Sequence, residues 1–267
     1  MRAQINGTEL HVTLAGNENR PALILNHSLA TSHEMWGLQL PLLARHFRVV
    51  AFDMRGHGAS AAPAGAYSLD QLADDVVALA DKLGLARFHF LGLSIGGMIG
   101  QSLGIRHGDR LSKLVLSSTL TGSVGPEGQK AWDERIAMVK AQGLASQVDG
   151  TMARWLSAGF QKSAPRTAQW IRDLIAATPV DGYAGCGAAI KAMHFTPEAL
   201  HGIKAPTLVV AGESDPGATP AEAKKIATAI PGAEQATIAG GLHLCNVEFP
   251  HHFTERVLAF LLGRADG

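Results

Sequence analysis

The chain has 267 residues, which suits one large α/β unit or a core domain that carries a sizeable insertion. Hydrophobic residues make up 46% of it and charged residues 17%, which excludes intrinsic disorder, because that state needs low hydrophobicity and a high net charge. The 23 lysines and arginines balance the 23 aspartates and glutamates, whereas nucleic-acid-binding proteins normally carry a basic excess, so we expect a small-molecule partner.

Strand and helix signals alternate through the first 120 residues. The Asn6-Gly7 turn and the alternating stretch 9–14 predict a hairpin strand at a sheet edge. Residues 68–83 begin with a capping serine and carry apolar residues at helical spacing, which predicts a helix. Short apolar strands are predicted at residues 22–25, 48–52, 88–91 and 114–116. Because strands alternate with helices, we expect an α/β fold with a mostly parallel twisted sheet flanked by helices.

From about residue 120 to residue 200 the strand signal disappears, and three of the four tryptophans lie there. Residues 144, 148, 152 and 155 fall on one helical face, so this stretch is expected to be an inserted helical cap. Strands at 207–210 and 235–238 then alternate with helices at 220–230 and 250–262. The predicted organisation is an α/β core over residues 1–120 and 201–267, with the cap over residues 121–200.

Cysteine usage and hydrophobic runs indicate the cellular setting. The two cysteines, Cys186 and Cys245, are too few for a disulfide framework or a thiolate metal site. The first residues contain no apolar signal-peptide core, and no run approaches the roughly eighteen apolar residues of a membrane helix. We therefore expect a cytoplasmic protein without a membrane partner, and the sequence leaves its oligomeric state open.

A Gly-x-Ser-x-Gly pattern, Gly92-Leu93-Ser94-Ile95-Gly96, follows the predicted strand 88–91 and precedes a helix. This placement is typical of a nucleophile elbow, a turn so tight that glycines are needed two residues before and two after the serine. The pattern alone is weak evidence, because a chain with 30 glycines can contain it by chance. Its position after a predicted strand makes it informative. We predict that Ser94 is the nucleophile.

A serine hydroxyl needs a base to take its proton, and that base needs an acidic partner. In chain order, Asp215 follows the strand 207–210 and His243 follows the strand 235–238. The order Ser, Asp, His is that of nucleophile-elbow hydrolases. All three candidates follow strands at one edge of the predicted sheet, where ligands bind in open α/β folds. We predict a catalytic triad of Ser94, Asp215 and His243.

Other titratable residues offer alternatives. Glu213 is a second candidate for the triad acid, because it lies in the same loop as Asp215. Asp53 ends a strand but precedes the serine, and His57 follows it in a turn, so both are expected to be structural. His251 and His252 are expected to form a solvated helix start.

The reaction also requires backbone donors for the oxyanion. The N–H of Ile95 comes directly after the nucleophile, and a second N–H should come from the loop after strand 22–25. That loop contains His27, Ser28 and Leu29, and Leu29 is the expected donor.

Together these residues resemble the α/β-hydrolase superfamily from about residue 5 to residue 262, and within it the 3-oxoadipate enol-lactonases. The motifs that carry the resemblance are SLAT at 28–31, GLSIGGMIGQ at 92–101 and GYAGCGAAI at 182–190. The resemblance implies hydrolysis of a small enol-lactone with one carboxylate, without a metal or cofactor. The chain departs from the family in having His27 before Ser28 and Ala30 after Leu29, and in having Lys191, Met193 and His194 after the third motif.

We predict seven substrate contacts. They are His27, Ser28, Trp132, Arg135, Trp155, Lys191 and His194. If the substrate carries a carboxylate, a cationic group must meet it, and Arg135 and Lys191 are the candidates. The predicted function is a cofactor-independent serine lactonase that works through an acyl-enzyme. The alternatives are a broad carboxylesterase, a cyclic amide hydrolase, a carbon–carbon bond hydrolase or a perhydrolase on the same triad, and a non-catalytic ligand receptor that keeps the fold.

Overall fold

A sheet of eight strands forms the centre of the structure, a computed structural model that describes residues 1–263. The strands are β1 (Arg2–Ile5), β2 (Thr8–Ala15), β3 (Ala22–Asn26), β4 (Arg48–Phe52), β5 (Phe88–Leu93), β6 (Leu111–Ser117), β7 (Thr207–Gly212) and β8 (Glu234–Ile238). Their order across the sheet is β1-β2-β4-β3-β5-β6-β7-β8. The β1–β2 and β2–β4 pairs are antiparallel and the other five are parallel, so the predicted mostly parallel sheet is confirmed.

Helices connect the strands from β3 onward. Those of the described residues are α1 (Leu40–Leu43), α2 (Leu69–Lys82), α3 (Ile95–Arg106), α4 (Pro126–Gln142), α5 (Val148–Trp155), α6 (Ala158–Ser163), α7 (Pro165–Ala176), α8 (Val180–Lys191), α9 (Pro197–His201), α10 (Pro220–Ala229), α11 (Cys245–Glu248) and α12 (Pro250–Leu262). Short 3-10 turns occur at His33–Trp36, Gly108–Arg110 and Leu144–Gln147. Among these residues, no helix combines the length and the apolar character that crossing a membrane requires.

The hairpin predicted at Asn6-Gly7 is present and forms one edge of the sheet. Ile5 pairs with Thr8, which leaves a two-residue loop between β1 and β2. Asn6 and Gly7 both adopt positive φ angles, 43° and 70°, as the favoured two-residue hairpin turn requires. Asparagine and glycine tolerate this conformation better than other residues, which is why the sequence pattern was informative.

Helix α2 shows how the local sequence sets an element's bounds. The Ser68 hydroxyl accepts a hydrogen bond from the N–H of Gln71 at 3.1 Å and caps the helix. Leu72, Val76 and Leu79 are buried along one face. The expected helix over 68–83 is therefore confirmed, with the serine as its cap.

The middle of the sheet is buried on both faces. All five residues of β3 and five of the six residues of β5 are buried, and helix α3 behind β5 is buried over most of its length. Parallel strands covered on both faces need such continuous apolar runs, since neither face meets water. This packing holds the carboxyl ends of β3 and β5 side by side, with Asn26 paired to Gly92.

Between β6 and β7 the described chain forms helices, one 3-10 turn and one isolated bridge between Ser123 and His194. We call residues 126–201, from α4 to α9, the inserted segment. The predicted loss of strands there is confirmed. The continuous helical face expected through residues 144–155 is interrupted, because a 3-10 turn precedes α5 and the preceding Gly143 adopts a φ of 73°. Leu144, Met152 and Trp155 are nevertheless buried. The division of the chain into a core and a cap stays a prediction.

Candidate active site

Ser94 lies in the turn between β5 and α3 and adopts an unusual backbone conformation, with φ 60° and ψ −116°. A residue with a side chain rarely adopts a positive φ, and such strain is concentrated at functional sites. Two hydrogen bonds hold the turn. The N–H of Ser94 donates to the carbonyl of Ser117 at 2.9 Å, and the Thr119 hydroxyl donates to the carbonyl of Ser94 at 2.7 Å. The side chain of Ser94 lines a large cavity.

The glycines around Ser94 allow a close backbone approach. A Cβ atom at Gly92 would overlap the carbonyl of Gly96, and one at Gly96 would overlap the carbonyl of Asn26. Glycine is therefore needed at both positions, as the elbow pattern predicts. The approach of Gly96 to Asn26 brings the start of α3 against the loop that follows β3. The two predicted oxyanion donors belong to these two segments.

Asp215 and His243 form a hydrogen-bonded pair at the same edge of the sheet. Asp215 Oδ2 lies 2.8 Å from His243 Nδ1, and Asp215 Oδ1 accepts the N–H groups of Gly217 and Ala218 at 2.9 and 3.1 Å. Burial opposes ionisation of Asp215, but the hydrogen bonds from His243 and the two N–H groups hold its pKa below the ordinary value. An ionised carboxylate on Nδ1 leaves the Nε2 atom of the imidazole available for proton transfer.

The inserted segment contacts this pair through Trp155. The indole ring of Trp155 stacks on the imidazole of His243, with 5.9 Å between ring centroids and 21° between ring planes. The Leu244 N–H also donates to the carbonyl of Trp155 at 3.1 Å. His243 thus has the carboxylate of Asp215 at one nitrogen and an aromatic face alongside its ring.

Glu213, the alternative triad acid, has a different partner. Its side chain is exposed, and its Oε2 accepts the N–H of Gly240 at 2.8 Å. The structure pairs His243 with Asp215 instead.

The expected oxyanion donors are unpaired within residues 1–263. Neither the Leu29 N–H nor the Ile95 N–H donates to another described residue, although the adjacent N–H of Ala30 donates to His57 Nε2 at 3.1 Å. Leu29 lines the same cavity as Ser94, and Ile95 directly follows the serine at the start of α3. Buried N–H groups are rarely left without a partner, so both are suited to receive an anionic oxygen.

The cavity in front of Ser94 has a volume of about 840 Å³ and extends to the inserted segment. Asp215 and His243 line it together with Ser94. Its remaining walls are mostly apolar or aromatic, and those from the inserted segment and its flanks include Leu120, Val124, Trp132, Trp155, Tyr183, Ile190, Met193, Phe195 and Leu200. Its size and lining are typical of a site for a small organic molecule.

Four of the predicted substrate contacts line this cavity: Ser28, Trp132, Arg135 and Trp155. His27 does not line it. It is fully buried, its Nδ1 donates to the carbonyl of Ser28 at 2.8 Å, and its Nε2 accepts the N–H of Met54 at 3.0 Å. Burial lowers the pKa of His27 to about 4, so it is a neutral residue that holds the loop.

Lys191 and His194 also lie outside the cavity lining. The ammonium of Lys191 pairs with Asp133 on α4 at 2.5 Å, so its charge is already neutralised at the surface. His194 is exposed, because its backbone pairs with Ser123 in an extended bridge that directs its buried neighbours Met193 and Phe195 the opposite way.

Arg154 and Tyr183 line the cavity and were missed by the sequence analysis. Arg135 lies 4.9 Å over the Trp132 ring, and Arg154 reaches the Thr151 hydroxyl at 3.4 Å. Burial lowers the pKa of Arg154, and the positive charge of Arg135 lowers it further. No carboxylate among the described residues pairs with either arginine.

Two signals in the sequence point to these residues. Arg154 directly precedes Trp155, and Tyr183 lies in the motif at 182–190 that carries the enol-lactonase resemblance. Burial raises the pKa of Tyr183, and the nearby charge of Arg135 opposes that rise. The cavity lining therefore includes two arginines and a tyrosine hydroxyl beside its apolar and aromatic residues.

Comparisons with known proteins agree with this site. A family model described as alpha/beta hydrolase fold matches residues 21–250. The 3-oxoadipate enol-lactonase 2 of Acinetobacter baylyi is 34% identical over 252 residues, which cover 94% of this chain and 92% of that protein. A solved hydrolase from Pseudomonas aeruginosa is 39% identical with a TM-score of 0.92, covering 98% of this chain and 97% of that one. The enol-lactonase from Burkholderia xenovorans is 38% identical with a TM-score of 0.94, and the match covers 98% of this chain and 100% of that one.

The chain therefore belongs to the alpha/beta hydrolase fold family and is a hydrolase. Both the expected fold and the resemblance to the 3-oxoadipate enol-lactonases are confirmed.

Proposed function

We propose that this protein is a cytoplasmic serine hydrolase that opens a small lactone carrying a carboxylate, 3-oxoadipate enol-lactone or a close analogue. The observation that carries the proposal is the strained Ser94, which faces the same cavity as the hydrogen-bonded pair of Asp215 and His243. A serine held in that conformation beside an imidazole that is oriented by a carboxylate is suited to nucleophilic attack.

In the proposed mechanism, Ser94 Oγ attacks the carbonyl carbon of the lactone while His243 takes its proton. Asp215 holds the imidazole and stabilises the imidazolium that forms. The N–H groups of Leu29 and Ile95 bind the oxyanion, because neither has a partner within the described residues. The ring oxygen leaves as an enolate, His243 returns a proton, and a water molecule activated by His243 then hydrolyses the acyl-enzyme.

Two arginines that line the cavity support an acidic substrate. Arg135 and Arg154 bring two positive charges to the cavity without a carboxylate partner among residues 1–263. A substrate carboxylate would supply the missing negative charge, and partial burial strengthens such a pair. We propose that the inserted segment acts as a cap that provides these charges and the apolar walls, and that excludes water from the site.

The test is to detect the acyl-enzyme by intact mass spectrometry. The wild-type protein, mixed with an activated ester such as a p-nitrophenyl ester, should gain the mass of the acyl group, whereas Ser94→Ala should not. Ser94→Ala should also lose about 10⁴–10⁶-fold in kcat on lactones while keeping the fold. If wild-type protein forms no adduct and hydrolyses no member of a lactone and ester panel, the proposed serine lactonase function is wrong.

A further inference from the structure

A second cavity, of about 260 Å³, lies apart from Ser94, between β2, the end of β4 and helix α7 of the inserted segment. His11 on β2, His33 in the 3-10 turn and Asp53 after β4 line it, and Glu34 lies beside them. None of the described residues that line it is a lysine or an arginine. The proposed hydrolysis uses none of these side chains.

The two imidazoles converge on one carboxylate. His33 Nδ1 lies 2.7 Å from Asp53 Oδ1, and His11 Nδ1 lies 3.1 Å from Asp53 Oδ2. The three potential ligand atoms all lie within 4.8 Å of one another. The two histidine side chains remain 28% and 15% exposed, so the group opens to solvent on one side, whereas Asp53 is only 1% exposed.

The charge of Asp53 has no permanent counterion. Its carboxylate is buried and accepts hydrogen bonds from the ring and the backbone N–H of His33, both at 2.7 Å. Its ion pairs within residues 1–263 are to His11 and His33, which carry a charge only when protonated. A buried carboxylate without a cationic partner is costly, and a bound cation would remove that cost.

We propose that His11, His33 and Asp53 form a binding site for a divalent transition-metal ion of the Zn²⁺ type. Two imidazole nitrogens and one carboxylate oxygen are ligands that Zn²⁺ accepts, and the cavity leaves room for a water molecule as the fourth ligand. With metal–ligand bonds of roughly 2.0–2.2 Å, tetrahedral ligands lie about 3.4 Å apart. The Nδ1–oxygen separations need to widen by less than about 1 Å to reach this geometry.

The surroundings of His33 suit a metal ligand. Its Nε2 lies 3.1 Å from the Thr13 hydroxyl, which can accept the N–H that remains when Nδ1 binds the ion. In a neutral imidazole the proton moves from Nδ1 to Nε2, and in a protonated one the Nδ1 proton leaves to solvent. Asp53 is held in turn by the N–H groups of His33 and Ala59, at 2.7 and 2.9 Å.

The ion would connect three segments of the core. His11 belongs to β2 and Asp53 follows β4, and His33 lies four residues after Leu29 in the loop that supplies the proposed oxyanion donor. Binding would therefore stabilise the fold and that loop, because an ion that binds only the folded state adds to its stability. It would take no part in the hydrolysis, since Ser94 and His243 provide the nucleophile and the base.

The experiment titrates chelator-treated full-length protein with ZnCl₂ by isothermal titration calorimetry. His11→Asn and His33→Asn are the test variants, because the Asn amide can still donate to Asp53 but is a poor metal ligand. His107→Asn is the matched control: His107 Nε2 also bonds a carboxylate, that of Asp74 at 2.8 Å, but with a single imidazole. Circular dichroism verifies the fold of each variant. Visible absorption of the wild-type protein with Co²⁺ gives a readout that needs no variant.

We expect one Zn²⁺ per chain in the wild-type protein and in His107→Asn, and an affinity at least about 100-fold weaker in His11→Asn and His33→Asn. The Co²⁺ complex should show the intense visible bands of a four-coordinate ion. Equal affinity in all four proteins, or no binding to the wild type, would overturn the metal site and leave the cluster as a hydrogen-bond network. Either result is independent of whether the acyl-enzyme forms on Ser94.

Discussion

The indole of Trp155 and the imidazole of His243 lie stacked at 5.9 Å, although Trp155 belongs to the inserted segment and His243 to the loop after β8. In the proposed mechanism His243 becomes positively charged in the transition state and neutral again afterwards. A cation over an aromatic face is stabilised by roughly 0.5–2 kcal/mol, depending on how well water is excluded. Trp155 therefore favours the charged form that forms during the reaction.

Trp155→Leu should lower kcat by roughly 3–30-fold and leave KM nearly unchanged, because it removes an interaction that strengthens only in the transition state. Trp155→Phe should keep most of the activity, since an aromatic face remains. Steady-state kinetics on one lactone measures both parameters. The backbone contact from Leu244 to Trp155 is retained in both variants.

Trp132→Leu is the matched control for this effect. Trp132 lines the same cavity but lies against Arg135 instead of His243. Its loss should raise KM and leave kcat nearly unchanged. If Trp155→Leu raised KM alone, Trp155 would be a substrate contact without an effect on the imidazolium.

Asp215→Asn should reduce kcat by roughly 10³–10⁴-fold, because the neutral amide cannot stabilise the imidazolium and favours the wrong tautomer of His243. Glu213→Gln should have little effect, since Glu213 bonds the N–H of Gly240 instead of the imidazole. Kinetics of both variants on the same ester decides between the two acids. A reversed result would make Glu213 the triad acid.

Arg135→Met should raise KM for an acidic lactone far more than for a neutral ester of similar size, because it removes a charge that lines the cavity. Arg154→Met should act in the same direction. Lys191→Met is the control, since its ammonium pairs with Asp133 at the surface. Equal changes for the acidic and the neutral substrate would indicate that the natural substrate is uncharged.

Stability should fall in acid because two neutral histidines are buried near the active site. Burial lowers the pKa of His27 to about 4 and that of His57 to about 3. Between these values and about 6.5, the unfolded chain binds protons that the folded chain excludes, so stability is present above pH 6.5 and decreases as the pH falls. The loss is about 2 kcal/mol for each histidine near pH 5, and it should lower Tm by several degrees.

His57→Gln should make the dependence of Tm on pH shallower in that range. The Gln side-chain carbonyl can accept the N–H of Ala30 in place of His57 Nε2, but it cannot be protonated. His251→Gln, at an exposed position on α12, should leave the slope unchanged. Identical slopes for wild type and His57→Gln would mean that His57 is not a source of the acid sensitivity.

The sequence predicted the core of the site because its residues follow strands. Ser94, Asp215 and His243 each come after an apolar stretch, and the carboxyl ends of parallel strands meet at one edge of the sheet. The glycines around Ser94 are required because a Cβ atom at Gly92 or Gly96 would overlap neighbouring backbone atoms. Such a local requirement is visible in a single sequence. Such signals depend on a few neighbouring residues and on the general rules of sheets, so they can be read without knowing the packing.

The contacts of the inserted segment were less predictable because they depend on how helices pack. Lys191 and Arg135 are both cations near the predicted site, and the sequence does not show that Lys191 pairs with Asp133, 58 residues earlier, and lies outside the cavity lining. Arg154 lies in α5, which begins only after a 3-10 turn at Leu144–Gln147. The spacing of apolar residues in the sequence therefore did not predict which way its side chain points. These outcomes follow from contacts between distant segments, which residue spacing does not encode.

The strand order has a consequence for how the protein acquires activity as it folds. Strand β6 separates β5, which precedes the proposed nucleophile Ser94, from β7 and β8, and the whole inserted segment lies in the connection between β6 and β7. Ser94 and His243 are 149 residues apart (243 − 94) in a chain of 267. Contacts this distant in sequence form slowly, because a long loop must close before any interaction compensates for its lost entropy. Helix content should therefore recover before activity during refolding, and a nascent chain should remain inactive until its last two strands join the sheet.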